Sequence, residues 1–170
     1  MLNKLAILAL TVVVLTGCGD SGSGSRASSH TDLNFREAEQ AGYVTIGPGG
    51  AANIGKLEDF LRDYQGKMSS ELTVVHYTDE GDPIYLDLSY DGQAIRYVYD
   101  NTWDAFGGKR EVRETACLTF AKRTGSYGVT YGTEYYVTDC EDDIGYSRQG
   151  SGEYHIFFIE EAVQGIENID

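Results

Sequence analysis

The chain has 170 residues, a formal charge of −14 at neutral pH and three cysteines. With 27 acidic against 13 basic side chains, it is repelled by nucleic acid and by anionic lipid, so nucleic-acid binding is excluded as a role. Thirteen tyrosines fit half-buried strands, ring inside and hydroxyl wet, or alternatively a binding face.

Lys4 is the only charged residue before Cys18 and supplies a positive start. The apolar stretch Leu5–Leu15 follows. It has the length of a secretory core and falls short of the roughly 20 residues that a membrane span needs. It ends in Leu15-Thr16-Gly17-Cys18, which resembles the bacterial lipobox. There small residues precede a cysteine that receives a diacylglycerol, with acyl chains such as palmitate, before cleavage. Gly19 to Ser29 is nearly all Gly and Ser and reads as a flexible tether. The expected organisation is a signal peptide over 1–17, the lipidated cysteine and tether over 18–40, and a single domain over 41–170. The expected address is the extracytoplasmic face of the cell membrane, reached through the lipid anchor.

With Cys18 given to lipid, Cys117 and Cys140 remain as an even pair outside the reducing cytosol and are expected to bond to each other. A redox pair is disfavoured because there is no Cys-x-x-Cys spacing.

In chain order, Asn34–Ala41 forms a short helix or remains tether, and Gly42–Ile46 reads as a short strand that Gly47-Pro48-Gly49-Gly50 breaks. Asn53 is placed to cap a helix in which Ile54, Leu57, Phe60, Leu61 and Tyr64 fall at helical spacing up to Gly66. The period then changes to two. Leu72–Thr78 reads as a strand, and Ile84–Tyr90 and Gln93–Tyr99 form a hairpin around Asp91-Gly92. If Tyr90 faces Gln93, then Ile84, Leu86 and Leu88 oppose Tyr99, Tyr97 and Ile95, and Asp87 opposes Arg96.

A second hairpin pairs Cys117–Arg123 with Glu134–Cys140, with Thr124–Gly132 as its loop. Setting Cys117 against Cys140 brings Thr119 to Thr138, Phe120 to Val137 and Arg123 to Glu134. Tyr154–Ile159 is a last strand, followed by a polar, helical tail from Glu160. The expected fold class is α+β: one N-terminal amphipathic helix packed on a mostly antiparallel sheet of about five or six strands, with one disulfide.

Tyr77-Thr78-Asp79-Glu80-Gly81-Asp82-Pro83-Ile84, Leu88-Ser89-Tyr90-Asp91-Gly92, Asp100-Asn101-Thr102 and Phe106-Gly107 follow in order. This pattern resembles a family of small lipoproteins from bacilli that carry a domain of unknown function, over roughly Asn53 to Cys140. The resemblance implies the domain boundary and the cysteine pair, and no activity, ligand or catalytic residue.

Asp79, Glu80 and Asp82 on the tight connection Asp79–Pro83 offer oxygen ligands to a hard cation, although Gly81 and Pro83 alone explain a turn. Asp139, Glu141, Asp142 and Asp143 form a second acidic cluster in which Asp139, Glu141 and Asp143 are weak metal candidates, without calcium-loop spacing. Trp103 and Phe106, in a glycine-bearing loop with Asp100 and Asp104, offer aromatic anchors for a contact surface. Their other role is to fold back over the sheet. His30 lies in the tether, and His76 and His155 lie in strands, near each other or near carboxylates. No nucleophile elbow, zinc-protease helix or phosphate loop is present, and no cofactor or catalytic residue is assigned.

The sequence therefore points to a membrane-anchored extracytoplasmic binding module for an envelope protein or a small ligand. Its candidate surface combines Asp79, Glu80 and Asp82 with Asp100, Trp103, Asp104 and Phe106, since both loops flank the same hairpin. The alternatives are an envelope hydrolase using two carboxylates and a calcium-dependent structural lipoprotein.

Overall fold

A computed structural model describes residues 27–148 and 151–161. In chain order they form α1 (Phe35–Gln40), β1 (Val44–Gly47), β2 (Gly50–Ala52), α2 (Gly55–Gln65), β3 (Ser70–Tyr77), β4 (Pro83–Tyr90), β5 (Ile95–Asp100), β6 (Val112–Tyr127), β7 (Thr130–Cys140) and β8 (Tyr154–Glu160). The strands make one sheet in the order β2-β1-β3-β4-β5-β6-β7-β8. β1 runs parallel to β3, and every other pairing is antiparallel.

This corrects the expected α+β layer of one helix on five or six strands. The domain is mostly β, a curled eight-stranded mixed sheet resembling a half-barrel, with two small helices. Two local features hid this. Gly47–Gly50, read as a break, is a hairpin turn that returns the chain as β2, with Gly50 at φ 115. The connection through α2 then lays β1 parallel to β3, a pairing that no four-residue strand signals locally.

The curl brings together strands that are not neighbours. Tyr97 on β5 and Tyr154 on β8 have ring centroids 5.1 Å apart. His76 Nε2 on β3 donates to the Ile156 carbonyl on β8 at 2.7 Å. The concave face holds the main core: Val44, Leu72, Val74, Leu86, Leu88, Ile95, Tyr97, Val137, Tyr154 and Ile156 are all buried. α2 fills the hollow with Leu57, Phe60 and Leu61, and Phe60 meets Phe120 edge-to-face at 4.9 Å. A smaller cluster on the convex face joins Ala38 of α1 to Val75 and Tyr85.

Asn34 caps α1 by accepting from the Arg36 and Glu37 amides, while the Glu37 carboxylate accepts from the Asn34 amide. So the polar segment that the sequence left open is a helix. Asn53 does not cap α2. It sits at φ 56 and donates from its side chain to the carbonyls of Glu39 and Tyr43, tying α1 to β1.

The β4–β5 hairpin forms as expected, but its register is two residues wider. Leu86 faces Tyr99, Leu88 faces Tyr97, and Tyr90 faces Ile95. Asp91 Oδ1 accepts from the Gln93 and Ala94 amides, and this side-chain turn lengthens the loop. A shift of two keeps every side chain on its face. It moves Asp87 opposite Val98 and leaves Arg96 opposite Ser89.

The β6–β7 register matches the expected one at Cys117↔Cys140, Thr119↔Thr138, Phe120↔Val137 and Arg123↔Glu134. Pairing continues to Tyr127↔Thr130, so Thr124–Gly132 is mostly strand and only Gly128 and Val129 turn. Asp139 sits at φ 57 and the ladder skips there. Cys117 and Phe120, three residues apart, are both buried in the main core. The Cys117–Cys140 disulfide joins directly opposed residues with Cα atoms 3.9 Å apart.

The expected signal peptide, Cys18 and Gly19–Arg26 lie outside the described residues, as does the tail after Glu161.

Candidate functional site

Both loops of the expected surface emerge at one end of the sheet, and a hydrogen bond joins them. The Ala105 amide donates to Asp82 Oδ2 at 2.8 Å. The β3–β4 turn closes through the Gly81 amide to the Thr78 carbonyl and the Asp82 amide to Thr78 Oγ1, with Gly81 at φ 95. Asp100 is buried, and its Oδ1 accepts from the Thr102 amide and hydroxyl at 2.9 and 2.6 Å. Its Oδ2 accepts from Ser28 Oγ. Asp104 Oδ1 accepts from the Phe106 amide at 3.0 Å. Asp82, Asp100 and Asp104 are thus committed to holding backbone.

Asp79 and Glu80 are exposed, and among the described residues their carboxylates have no partner. Trp103 is partly folded back, its Nε1 donating to the His30 carbonyl at 3.2 Å. Phe106 stands 76% exposed.

The second acidic cluster is also spent in part. Asp139 accepts from Thr119 Oγ1 at 2.7 Å, and Asp143 accepts from the Gly145 amide and the Tyr154 hydroxyl. Glu141 is exposed. Among the described residues no three His, Cys, Asp or Glu side chains are grouped so as to hold a metal ion.

The approach to α1, which the sequence assigns to tether, packs along the convex face from Ser28 onward. The His30 ring stacks on Tyr85 at 4.0 Å, and its Nε2 meets Asp87 Oδ2 at 2.6 Å. The Tyr85 and Tyr77 hydroxyls donate to the carbonyls of Thr31 and Leu33. Burial pushes the Tyr85 hydroxyl up to about 12, so it remains a donor.

This packing creates a groove of about 500 Å³ between α1, the β1–β2 turn and the β3–β4 turn. Phe35, Tyr77 and Pro48 give it apolar walls; Asn34, Arg36, Asp79 and Glu80 give it a polar rim. The Phe35 and Tyr77 rings lie 5.5 Å apart. Asp79 and Glu80 were legible as candidates. Phe35 and Arg36 were not, because only the packing of α1 beside β3 brings them there.

A second constellation lies across β6, β7 and β8. Glu134 is buried, and its carboxylate meets Arg123 at 2.8 Å, Arg148 at 3.1 Å and His155 Nδ1 at 3.0 Å. Arg123 also pairs with Glu153 at 2.7 Å. Burial alone raises the Glu134 carboxyl, and the hydrogen bonds from His155 and Arg123 reverse this and hold it below the usual range. His76 lies beside His155, ring centroids 6.0 Å apart. Burial pushes the His76 imidazole down to about 4.

An acid–base pair of carboxyls needs one member held protonated. Glu58, Asp91, Glu111 and Glu134 are all shifted the other way. Through Arg123, Arg148 and His155, Glu134 ties β6, β7 and β8 together.

No helix among the described residues is long and apolar enough to cross a membrane. No curated protein and no solved structure matches the chain. One family model matches residues 43–132, from the start of β1 into β7, so the match begins ten residues earlier than the sequence resemblance implied and stops short of Cys140. It spans more than half of the chain and includes the β3–β4 turn, the β4–β5 hairpin and the Trp103–Phe106 loop. The chain thus belongs to the family described as domain of unknown function DUF4362.

Proposed function

We propose that this protein is a membrane-anchored extracytoplasmic lipoprotein whose half-barrel domain is a binding and interaction module. The observation that carries the binding role is the groove between α1 and the β3–β4 turn. Its volume, near 500 Å³, falls within the range of ligand sites, and so does its makeup of apolar walls with a few polar groups at the rim. The exposed Asp79 and Glu80 carboxylates favour a ligand or peptide with a cationic group beside an apolar or aromatic one. The Cys117–Cys140 disulfide supports an oxidising address.

The anchor is tested by feeding cells a clickable fatty acid. The wild-type chain takes up the label and Cys18→Ala does not; an unlabelled wild-type chain refutes the anchor. The binding role is tested by crosslinking in the same cells. A recurrent partner is expected that is lost in Phe35→Ala and in the double variant Asp79→Asn, Glu80→Gln. A partner retained in both variants refutes the groove.

A further inference from the structure

The chain enters the described domain at the end that carries the β5–β6 loop. Ser28 Oγ donates to Asp100, and Trp103 Nε1 donates to the His30 carbonyl. Only residues 19–26 separate Cys18 from Ala27. Even fully extended, that connection spans roughly 32 Å. β6 starts at this same end, at Val112, and its 16 residues run roughly 50 Å along the strand before the turn at Gly128. A lipid on Cys18 therefore keeps this end of the sheet within roughly 32 Å of the bilayer, whereas the tip of the β6–β7 hairpin can stand roughly 50 Å farther out.

The loop itself has the makeup of an interfacial contact. Ala105 to Arg110 is exposed throughout. Phe106 is 76% exposed and Lys109 has a side-chain exposure of 76%. Lys109 pairs with Glu111 at 2.6 Å, and the exposed Arg110 has no partner among the described residues. The acids within this loop and below it are turned inward. Asp82, Asp100 and Asp104 hold backbone or hydroxyl donors, while the exposed carboxylates near this end, Asp79, Glu80, Asp32 and Asp143, lie on neighbouring segments outside the loop.

The loop's shape is also held. A Cβ on Gly107 would lie 2.0 Å from Asp104 Oδ2, so a larger residue there would displace the carboxylate that accepts from the Phe106 amide.

We propose that the loop Trp103–Arg110 is a membrane-docking element: Phe106 enters the headgroup region of the bilayer that holds the anchor, and Arg110 and Lys109 meet its phosphates. This rests on the lipoprotein reading. Aromatic and basic residues side by side are what the interface favours. They lie here in a chain whose net charge of −14 otherwise repels an anionic surface.

The test uses the chain from Gly19 onward, which keeps every described residue and removes the apolar leader and the acyl site. Its single tryptophan, Trp103, reports docking directly. Titrating in vesicles containing phosphatidylglycerol should shift Trp103 emission to shorter wavelength and bring the protein down with the vesicles. Phe106→Ser should weaken partitioning about tenfold. Arg110→Glu should weaken it about tenfold on anionic vesicles and leave binding to pure phosphatidylcholine unchanged.

Both positions are exposed, so thermal unfolding of the variants should match the wild type. Vesicle binding that is absent, or equal in wild type and both variants, overturns the proposal. So does a photo-crosslinker at position 106 that captures a protein in cells instead of lipid. The fatty-acid label on Cys18 is read separately. A labelled chain without vesicle docking refutes the loop alone, and docking without label refutes the anchor alone.

Discussion

Replacing His76 by Gln tests whether a half-buried imidazole clasps the two sides of the curled sheet. Nε2 donates to the Ile156 carbonyl at 2.7 Å, and the ring packs against His155 and Phe157. Burial lowers its pKa from 6.5 to about 4. The unfolded chain therefore takes up a proton between those values that the folded chain refuses. Stability carried by the neutral ring is complete above about pH 6.5 and is lost as pH falls toward 4. A shift of this size is worth about 3 kcal/mol in full, and about 2 kcal/mol of it is lost between pH 7.5 and pH 5.

The groups facing His76 are His155, Glu134 behind it and the aromatic rings. Glu134 titrates below its ordinary range and so stays charged across this window. Gln at position 76 keeps an amide donor for Ile156 but does not titrate. At pH 7.5 His76→Gln should be about 1 kcal/mol less stable than wild type, from an imperfect hydrogen bond. Urea unfolding at pH 7.5, 6 and 5 should then show the gap closing and reversing. Parallel stability curves for the two proteins across that range would refute the clasp.

Two further outcomes follow from the core. Phe60→Ala should cost about 3–5 kcal/mol in chemical unfolding, because it empties the hollow against Phe120 that α2 fills. Replacing both Cys117 and Cys140 by Ser should cost about 3 kcal/mol, given the sequence separation of 23. The variant should then lose the wild type's sensitivity to reductant in thermal melts; an unchanged melting temperature would show the bond to be dispensable.

The candidate site was half legible. Both loops carry their signals in sequence, Gly81 and Pro83 in one and Trp103 and Phe106 in the other, and flanking one hairpin put them at one end. The roles of their acids were not legible. A carboxylate that accepts from Ala105 or from Ser28 looks the same in sequence as one open to a cation, and only the return of distant backbone decides between them. His30 belonged by composition to a flexible run, yet it stacks on Tyr85 and pairs with Asp87.

What the sequence determined by itself was local: the period-two strands, the amphipathic α2, and the β6–β7 register with its opposed cysteines. Side-chain alternation and cross-strand pairing act over a few residues and leave their mark there. The tertiary structure decided the rest. It converted Gly47–Gly50 from a break into a turn, set β1 parallel to β3, and curled eight strands until His76 met Ile156. It also moved the β4–β5 register by two, since an Asp91 turn and a two-residue turn keep the same faces inward and differ only in pairing. The β1–β3 pairing and the His76–Ile156 contact join segments far apart in the chain, so no window of sequence contains both partners, whereas the two turns are local choices between alternatives that the pattern of apolar residues does not separate.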